Sequence, residues 1–267
     1  MFLDKSKLML SYQHIYHAGN LADVQKHALL CWMLDYLTRK DKPLSYIETH
    51  AGRGLYDLSS NEAAKTGEAE KGVELVLEDW FAPEHAYRRQ LDLVKLKYGE
   101  ASYAGSPLLA SGLLRPSNQI TLCELHPREF IALRESLSDV SARIVKKDGL
   151  ETALSLCPPT PRRGLLLIDP SYEVKSDYDA ISKALPALHR KWNVGVIALW
   201  YPILKNSAQA AMLARLKAEI TDAFLHEVRF PPARDGHKMI GSGMFIVNPP
   251  FGIEGEAKRL SQLYNTL

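Results

Sequence analysis

The sequence predicts an α/β protein built on a mostly parallel sheet, with helices on both faces and an antiparallel hairpin at one edge. Three observations predict it. Short strand-like runs recur at residues 44–48, 119–124, 143–147, 164–168 and 194–200, each followed by a segment with helical spacing. Four of these runs are wholly or almost wholly apolar, as strands buried on both faces must be. Two late runs, at 223–230 and 244–248, have no helical segment between them, which is the pattern of a hairpin.

The elements can be justified in order. Asn20 and Asp23 offer capping side chains ahead of Leu30, Met33, Leu34 and Leu37, so a first helix ends near Asp41 and Pro43. The first strand then runs directly into His50-Ala51-Gly52-Arg53-Gly54. Residues 68–100 are charged and helix-favouring with only Pro83 interrupting, which predicts two short helices. From Ser106 the alternation is regular: helices at 107–114, 127–137, 150–156, 177–192 and 207–220 separate the remaining strands. The pattern at the end of the chain is again amphipathic.

Composition sets broad limits. With 267 residues and 46% hydrophobic content the chain can bury one large core. No stretch approaches the roughly 20 apolar residues of a membrane span, and the first residues lack a signal-peptide pattern, which points to the cytoplasm. Cys31, Cys123 and Cys157 are far apart and unpaired in spacing, so they read as buried thiols rather than a disulfide framework or a metal site. Net charge is only +2, so a nucleic-acid partner must be argued from local clusters. Those clusters are Arg88, Arg89, Lys95 and Lys97; Arg162 and Arg163; His189, Arg190 and Lys191; and Arg229, Arg234, His237 and Lys238. Any one of them alone reads more readily as a solvated face.

In an open parallel sheet, ligands sit beyond the carboxyl ends of the strands, so the residues just after each strand form the candidate site. They are Thr49, His50, Gly52 and Gly54; Glu124; Asp148 and Gly149; and Asp169, Pro170, Ser171 and Tyr172. Glycines let the backbone approach a ligand and a helix N-terminus favours a carboxylate, which fits the methionyl end of S-adenosylmethionine. Glu124 is placed for ribose hydroxyls and Asp148 for an adenine amino group, although Asp148-Gly149 alone also reads as a simple turn. In a dinucleotide fold the ribose-binding acid lies about 20 residues past the glycines. Here Glu124 follows Gly54 by 70, so residues 57–100 read as an inserted helical subdomain between 1–56 and 101–267.

The run Leu165-Leu166-Leu167-Ile168-Asp169-Pro170-Ser171-Tyr172 resembles the DPPY motif of amino-group methyltransferases. An exocyclic amine is a weak nucleophile because its lone pair is delocalised into the ring. Hydrogen bonds from its N–H groups to the Asp169 carboxylate and the Pro170 carbonyl would turn that lone pair toward the methyl group. Tyr172 would stack on a base withdrawn from its helix. An Asp-Pro turn with a half-buried tyrosine is the plain alternative.

Beyond this motif the chain resembles the ribosomal RNA large subunit methyltransferase J family, adenine-N6 methyltransferases of 23S rRNA. The matching residues are Met9-Leu10-Ser11-Tyr12-Gln13-His14, His17-Ala18-Gly19-Asn20, Ala22-Asp23-Val24, Lys26-His27 and Thr49-His50-Ala51-Gly52. Further matches are Gly105-Ser106-Pro107, Glu124-Leu125-His126-Pro127, Asp148-Gly149, Ala198-Leu199-Trp200-Tyr201-Pro202 and Ser242-Gly243-Met244. The resemblance implies a Rossmann-like class I methyltransferase sheet and S-adenosylmethionine bound through His27, His50, Ser106, Glu124, Asp148 and Gly149. It implies Asp169 as the catalytic acid, with Tyr12, His14 and Lys26 important for activity on an N-terminal lid (residues 1–20) and first helix. Two departures stand out. Ser171 replaces the motif's second proline, and the residues before Met9 exceed the usual start.

A DNA adenine methyltransferase, a binding protein connected with external DNA, and a dinucleotide-dependent oxidoreductase remain as alternatives. Only Gly52 and Gly54 of the longer dinucleotide glycine pattern are present, which disfavours the last. A monomer is expected.

Overall fold

The computed structural model describes residues 12–234 and 236–267. Met9, Leu10 and Ser11 and most of the expected lid lie outside them. A seven-stranded sheet organises the molecule: β1 (Ser45–Glu48), β4 (Gln119–Cys123), β5 (Arg143–Val145), β6 (Gly164–Ile168), β7 (Val196–Leu204), β8 (Phe224–Arg229) and β9 (Met239–Val247), in the order β5-β4-β1-β6-β7-β9-β8. The first five strands in that order are parallel, and β9 runs antiparallel to both β7 and β8. The late hairpin therefore closes one edge, with β9 inserted between its partner and β7.

Period-two alternation explains why the central strands are apolar throughout. Leu165 and Leu167 of β6 enter one core with Tyr46, Ala198 and Ile246, while Leu166 and Ile168 enter the other with Ile47, Ile197 and Phe245. Helices α1 (Leu21–Thr38), α4 (Ala86–Tyr98), α5 (Ser106–Leu113) and α10 (Ile253–Tyr264) belong to the first core. Helices α7 (Gly149–Leu156), α8 (Ser176–Lys191) and α9 (Ala210–Glu219) belong to the second. Helix α6 (Pro127–Ser136) follows β4 and enters the first core through Leu133.

Helix α1 sits among α4, α5, α10 and β9, so it is buried almost all round. Its polar side chains consequently need internal partners. Gln25 bonds His226 (3.0 Å) and Ser242, His27 meets the Tyr103 hydroxyl (2.7 Å), and Lys26 is ion-paired. Asn20 caps it, accepting from the Asp23 N–H at 2.9 Å.

Between β1 and β4 the structure holds more than two helices. A two-stranded ribbon of β2 (Leu55–Asp57) and β3 (Ser102–Ala104) brackets α2 (Asn61–Thr66), α3 (Val73–Trp80) and α4. Strands of three residues are too short to show alternation, which is why the ribbon escapes a sequence reading. Val76, Leu77, Tyr87 and Leu91 of this segment share the first core with Leu30 and Tyr46.

Strand β7 also runs further than its apolar stretch, through Pro202 to Leu204. Its parallel pairing with β6 ends at Leu199, and beyond it pairs only with β9, so a residue without an N–H is tolerated at the free side.

Candidate active site

One cavity of about 820 Å³ opens at the carboxyl ends of β1, β4, β5 and β6. Of the residues singled out from the sequence, Gly54 stays outside it and the others line it: Tyr12, His14, Lys26 and His27 from the N-terminal side; His50, Gly52 and Ser106 from the loops after β1 and β3; Glu124, Asp148 and Gly149 after β4 and β5; Asp169, Pro170 and Tyr172 after β6. This is a statement of position, and the geometry of each follows.

Glu124 leaves β4 with both carboxylate oxygens anchored, one accepting from the Gly52 N–H (2.8 Å) and the other from the His126 N–H (2.7 Å). Burial nevertheless pushes its carboxyl above the ordinary range. The glycine turn is locked by Arg53, which forks onto Glu129 at 2.6 and 2.9 Å. Gly52 adopts φ +64°, and a Cβ there would lie 2.6 Å from the Tyr56 hydroxyl. At Gly149 a Cβ would lie 1.9 Å from the Thr49 carbonyl oxygen, so only glycine lets α7 begin this close to β1. Asp148 caps α7 by accepting from the Glu151 N–H at 2.9 Å. His50 meets the Thr49 hydroxyl at 2.7 Å, and burial lowers its pKa. His27 is buried to the point that desolvation pushes its pKa down to about 3, so its imidazole is neutral.

A connected chain of side chains reaches Asp169. The Tyr12 hydroxyl meets His14 Nδ1 at 2.8 Å, and His14 Nε2 meets Asp23 Oδ2 at 2.8 Å. Lys26 Nζ bridges Asp23 Oδ1 (2.9 Å) and Asp169 Oδ2 (2.6 Å). Burial opposes ionisation of both Asp23 and Lys26, yet each is overruled. His14 and Lys26 hold the Asp23 carboxyl well below the usual range, and Asp169 and Asp23 raise the Lys26 ammonium well above its own. Among the described residues Asp169 Oδ1 has no hydrogen-bond partner.

Tyr172 adopts φ 55°, a sparsely populated conformation for a residue with a side chain. Its hydroxyl donates to the Trp200 carbonyl at 2.7 Å, and its ring packs on Tyr178 at 4.7 Å, which together hold it in that conformation.

Three residues at or behind the site had no signal strong enough to be singled out. Asp23 read as a cap, but its side chain is 2% exposed and joins His14 to Lys26. Trp200 lines the cavity with the Lys26 ammonium 5.4 Å above its ring. Glu48 ends β1 fully buried, receiving hydrogen bonds from the Tyr46 hydroxyl (2.8 Å) and the Ser106 hydroxyl. A carboxylate closing an all-buried strand is the pattern that marks it.

Burial pushes the Glu48 carboxyl up to about 8, against the hydrogen bonds from Ser106 and Tyr46. Its folded form keeps a proton that the unfolded chain releases near 4.5. Stability from this group is therefore complete below that value and drains as pH rises through 8. Glu48→Gln should flatten the loss: the drop in urea midpoint between pH 6 and pH 9 shrinks relative to the parent. An unchanged drop would assign the pH dependence elsewhere.

The site's residues fit S-adenosylmethionine in their chemistry: carboxylates of Glu124, Asp148, Asp169 and Asp177 line the cavity, as a sulfonium cation favours.

Comparison with known proteins agrees. Residues 41–266 match the family described as "Ribosomal RNA large subunit methyltransferase D, RlmJ". The Ribosomal RNA large subunit methyltransferase J of Haemophilus influenzae is 40% identical over 257 residues, covering 94% of this chain and 92% of that protein. The Escherichia coli protein of the same name is 39% identical, covering 92% and 89%. A crystal structure of a Legionella pneumophila protein superimposes with a TM-score of 0.85 at 34% identity, covering 94% and 93%. With sequence and fold matched along nearly its full length, the chain belongs to the ribosomal RNA large subunit methyltransferase J family.

Proposed function

We propose that the protein transfers a methyl group from S-adenosylmethionine to N6 of an adenine in 23S ribosomal RNA. The observation that carries this reading is the Asp169 carboxylate at the end of β6, gripped by Lys26 through one oxygen, with Pro170 and Tyr172 beside it in the cavity. Both curated relatives are named for ribosomal RNA, which favours RNA over DNA and over hydride transfer.

The cofactor supplies an electrophilic methyl group on sulfur. His27, His50, Gly52, Ser106, Glu124, Asp148 and Gly149 would hold it, with Glu124 placed for the ribose hydroxyls and Asp148 for the adenine amino group. Asp169 Oδ1 accepts one N–H of the target amine and the Pro170 carbonyl the other, which aims the lone pair. As the nitrogen is methylated its surplus proton leaves, and Asp169 is the acceptor within reach. Lys26 keeps that carboxylate in place. Tyr12 and His14 fix Lys26 through Asp23 and exclude water. Residues 57–100 act as an inserted subdomain on the substrate side. The protein works in the cytoplasm as a monomer on protein-free RNA or an early assembly form.

The test is to incubate the protein with labelled cofactor and, separately, protein-free 23S rRNA and DNA, and to map the modified base. Label on N6 of a single adenine of the RNA is expected. Label on DNA alone, on cytosine, on protein, or nowhere overturns the reading.

A further inference from the structure

The wall that β7 gives the cavity, beside Asp169, has a different character from the acidic strand ends. Residues Trp200, Pro202 and Leu204 alternate along β7 and all line the cavity. They form one apolar face about 13 Å long at ~3.3 Å per residue. At its outer end Leu204 pairs with Met239, and the Lys205 N–H donates to the Lys238 carbonyl at 3.0 Å. There the loop between β8 and β9 brings Arg234, His237 and Lys238 to the cavity rim, facing His17. The Lys71 ammonium pins this loop by donating to the Ala233 carbonyl at 2.7 Å.

Among the described residues neither Arg234 nor Lys238 is ion-paired. The carboxylate near His237, Glu68, is buried and engaged by His17 (3.0 Å) and by Asn20 (3.0 Å). Two polar nitrogens on this wall, Trp200 Nε1 and His237 Nδ1, are shielded from solvent yet have no hydrogen-bond partner among the described residues. Buried polar atoms left this way are costly unless a ligand completes them. Burial, with smaller contributions from neighbouring His17, Arg234 and Lys205, lowers the His237 pKa in spite of Glu68.

The geometry points to a second subsite in this cavity, for an RNA phosphodiester next to the methylated adenosine. Arg234, His237 and Lys238 take the phosphate, and the Trp200–Pro202–Leu204 face carries an unstacked base between it and Asp169. Trp200 Nε1 donates to that nucleotide. An aromatic platform beside a basic rim is the general solution for holding single-stranded RNA, in which phosphate contacts set the register and stacking supplies sequence-tolerant affinity. The inference rests on RNA being the substrate.

The test measures binding and methyl transfer on the same samples. The probe is a fluorescent hairpin RNA of 23S sequence containing the methylated adenine, titrated by anisotropy at several salt concentrations. Arg234→Gln/Lys238→Gln should weaken binding by about tenfold or more and make the slope of log K against log salt shallower by about 1.4, two cations at ~0.7 each. Cofactor affinity should be unchanged. The charge-matched Arg39→Gln/Lys42→Gln variant, at the opposite end of the sheet, should leave binding as in the parent. Trp200→Phe, which keeps an aromatic face but removes Nε1 and part of the stacking area, should weaken binding with no change in slope. Equal affinity and slope in the rim variant and the parent overturns the subsite, as does an effect of the distant variant equal to that of the rim variant. Binding that behaves as expected without methyl transfer by the parent sinks the proposed reaction and leaves the subsite standing.

Discussion

Asp169→Asn lowers kcat by roughly 10²–10⁴-fold, the scale on which a positioned acceptor contributes. The change is isosteric, so the loop keeps its shape. What it removes is the charge that accepts from the amine and holds Lys26 at 2.6 Å. An amide turned to keep an oxygen toward Lys26 must present N–H groups to the substrate amine, which is itself a donor. Because the interaction matters while the new bond forms, kcat and kcat/KM fall together and cofactor affinity is retained. Steady-state kinetics with labelled cofactor and isothermal titration of the cofactor separate these quantities. Activity within tenfold of the parent would remove Asp169 from the reaction.

Lys26→Met has the second large effect, this time on stability as well as activity. One ammonium, 5% exposed, is shared between two carboxylates, Asp23 and Asp169. Removing one partner of a buried ion pair leaves uncompensated charge and costs about 3–5 kcal/mol. For a chain of this size that lowers Tm by roughly 6–20 °C. The pH dependence has a definite sign. In the parent, the Asp23 carboxyl is held below its unfolded value, so its contribution is present above the ordinary carboxylate range and is lost on acidification. The variant lacks that contribution at neutral pH, so its deficit relative to the parent is widest there and narrows as pH falls below about 4, the unfolded carboxylate value. Melting curves at pH 7 and at about pH 2.5, below the unfolded carboxylate value, test this, and Asp23→Asn added to Lys26→Met should restore part of the loss. A Tm within 2 °C of the parent at pH 7 would show that the lysine is dispensable to the fold.

Both predictions concern residues that could be singled out in the sequence, yet only one could be understood there. Asp169 follows an apolar strand within a recognisable tetrapeptide, and its place at a strand's carboxyl end follows from chain order alone. Lys26 sits 143 positions away. Nothing in local periodicity connects the two, and its importance was legible only as something the family resemblance implied. The structure supplies the reason: α1 is enclosed by helices on several sides, so a lysine on it must find carboxylates or destabilise the core.

The sequence by itself determined the alternating architecture, the antiparallel edge and the list of residues that end its strands. These depend on periodicity and on the handed, short connections of an α/β chain, which are local properties. Tertiary structure alone decided the rest: the ribbon closing the segment after β1, the buried Glu48 held by Tyr46 and Ser106, and the path from Tyr12 to Asp169. It also decided the division of one cavity into an acidic wall and a basic rim. Each of these joins side chains from distant segments, and their charges and hydrogen bonds acquire meaning only when folding removes the water that would otherwise have satisfied them.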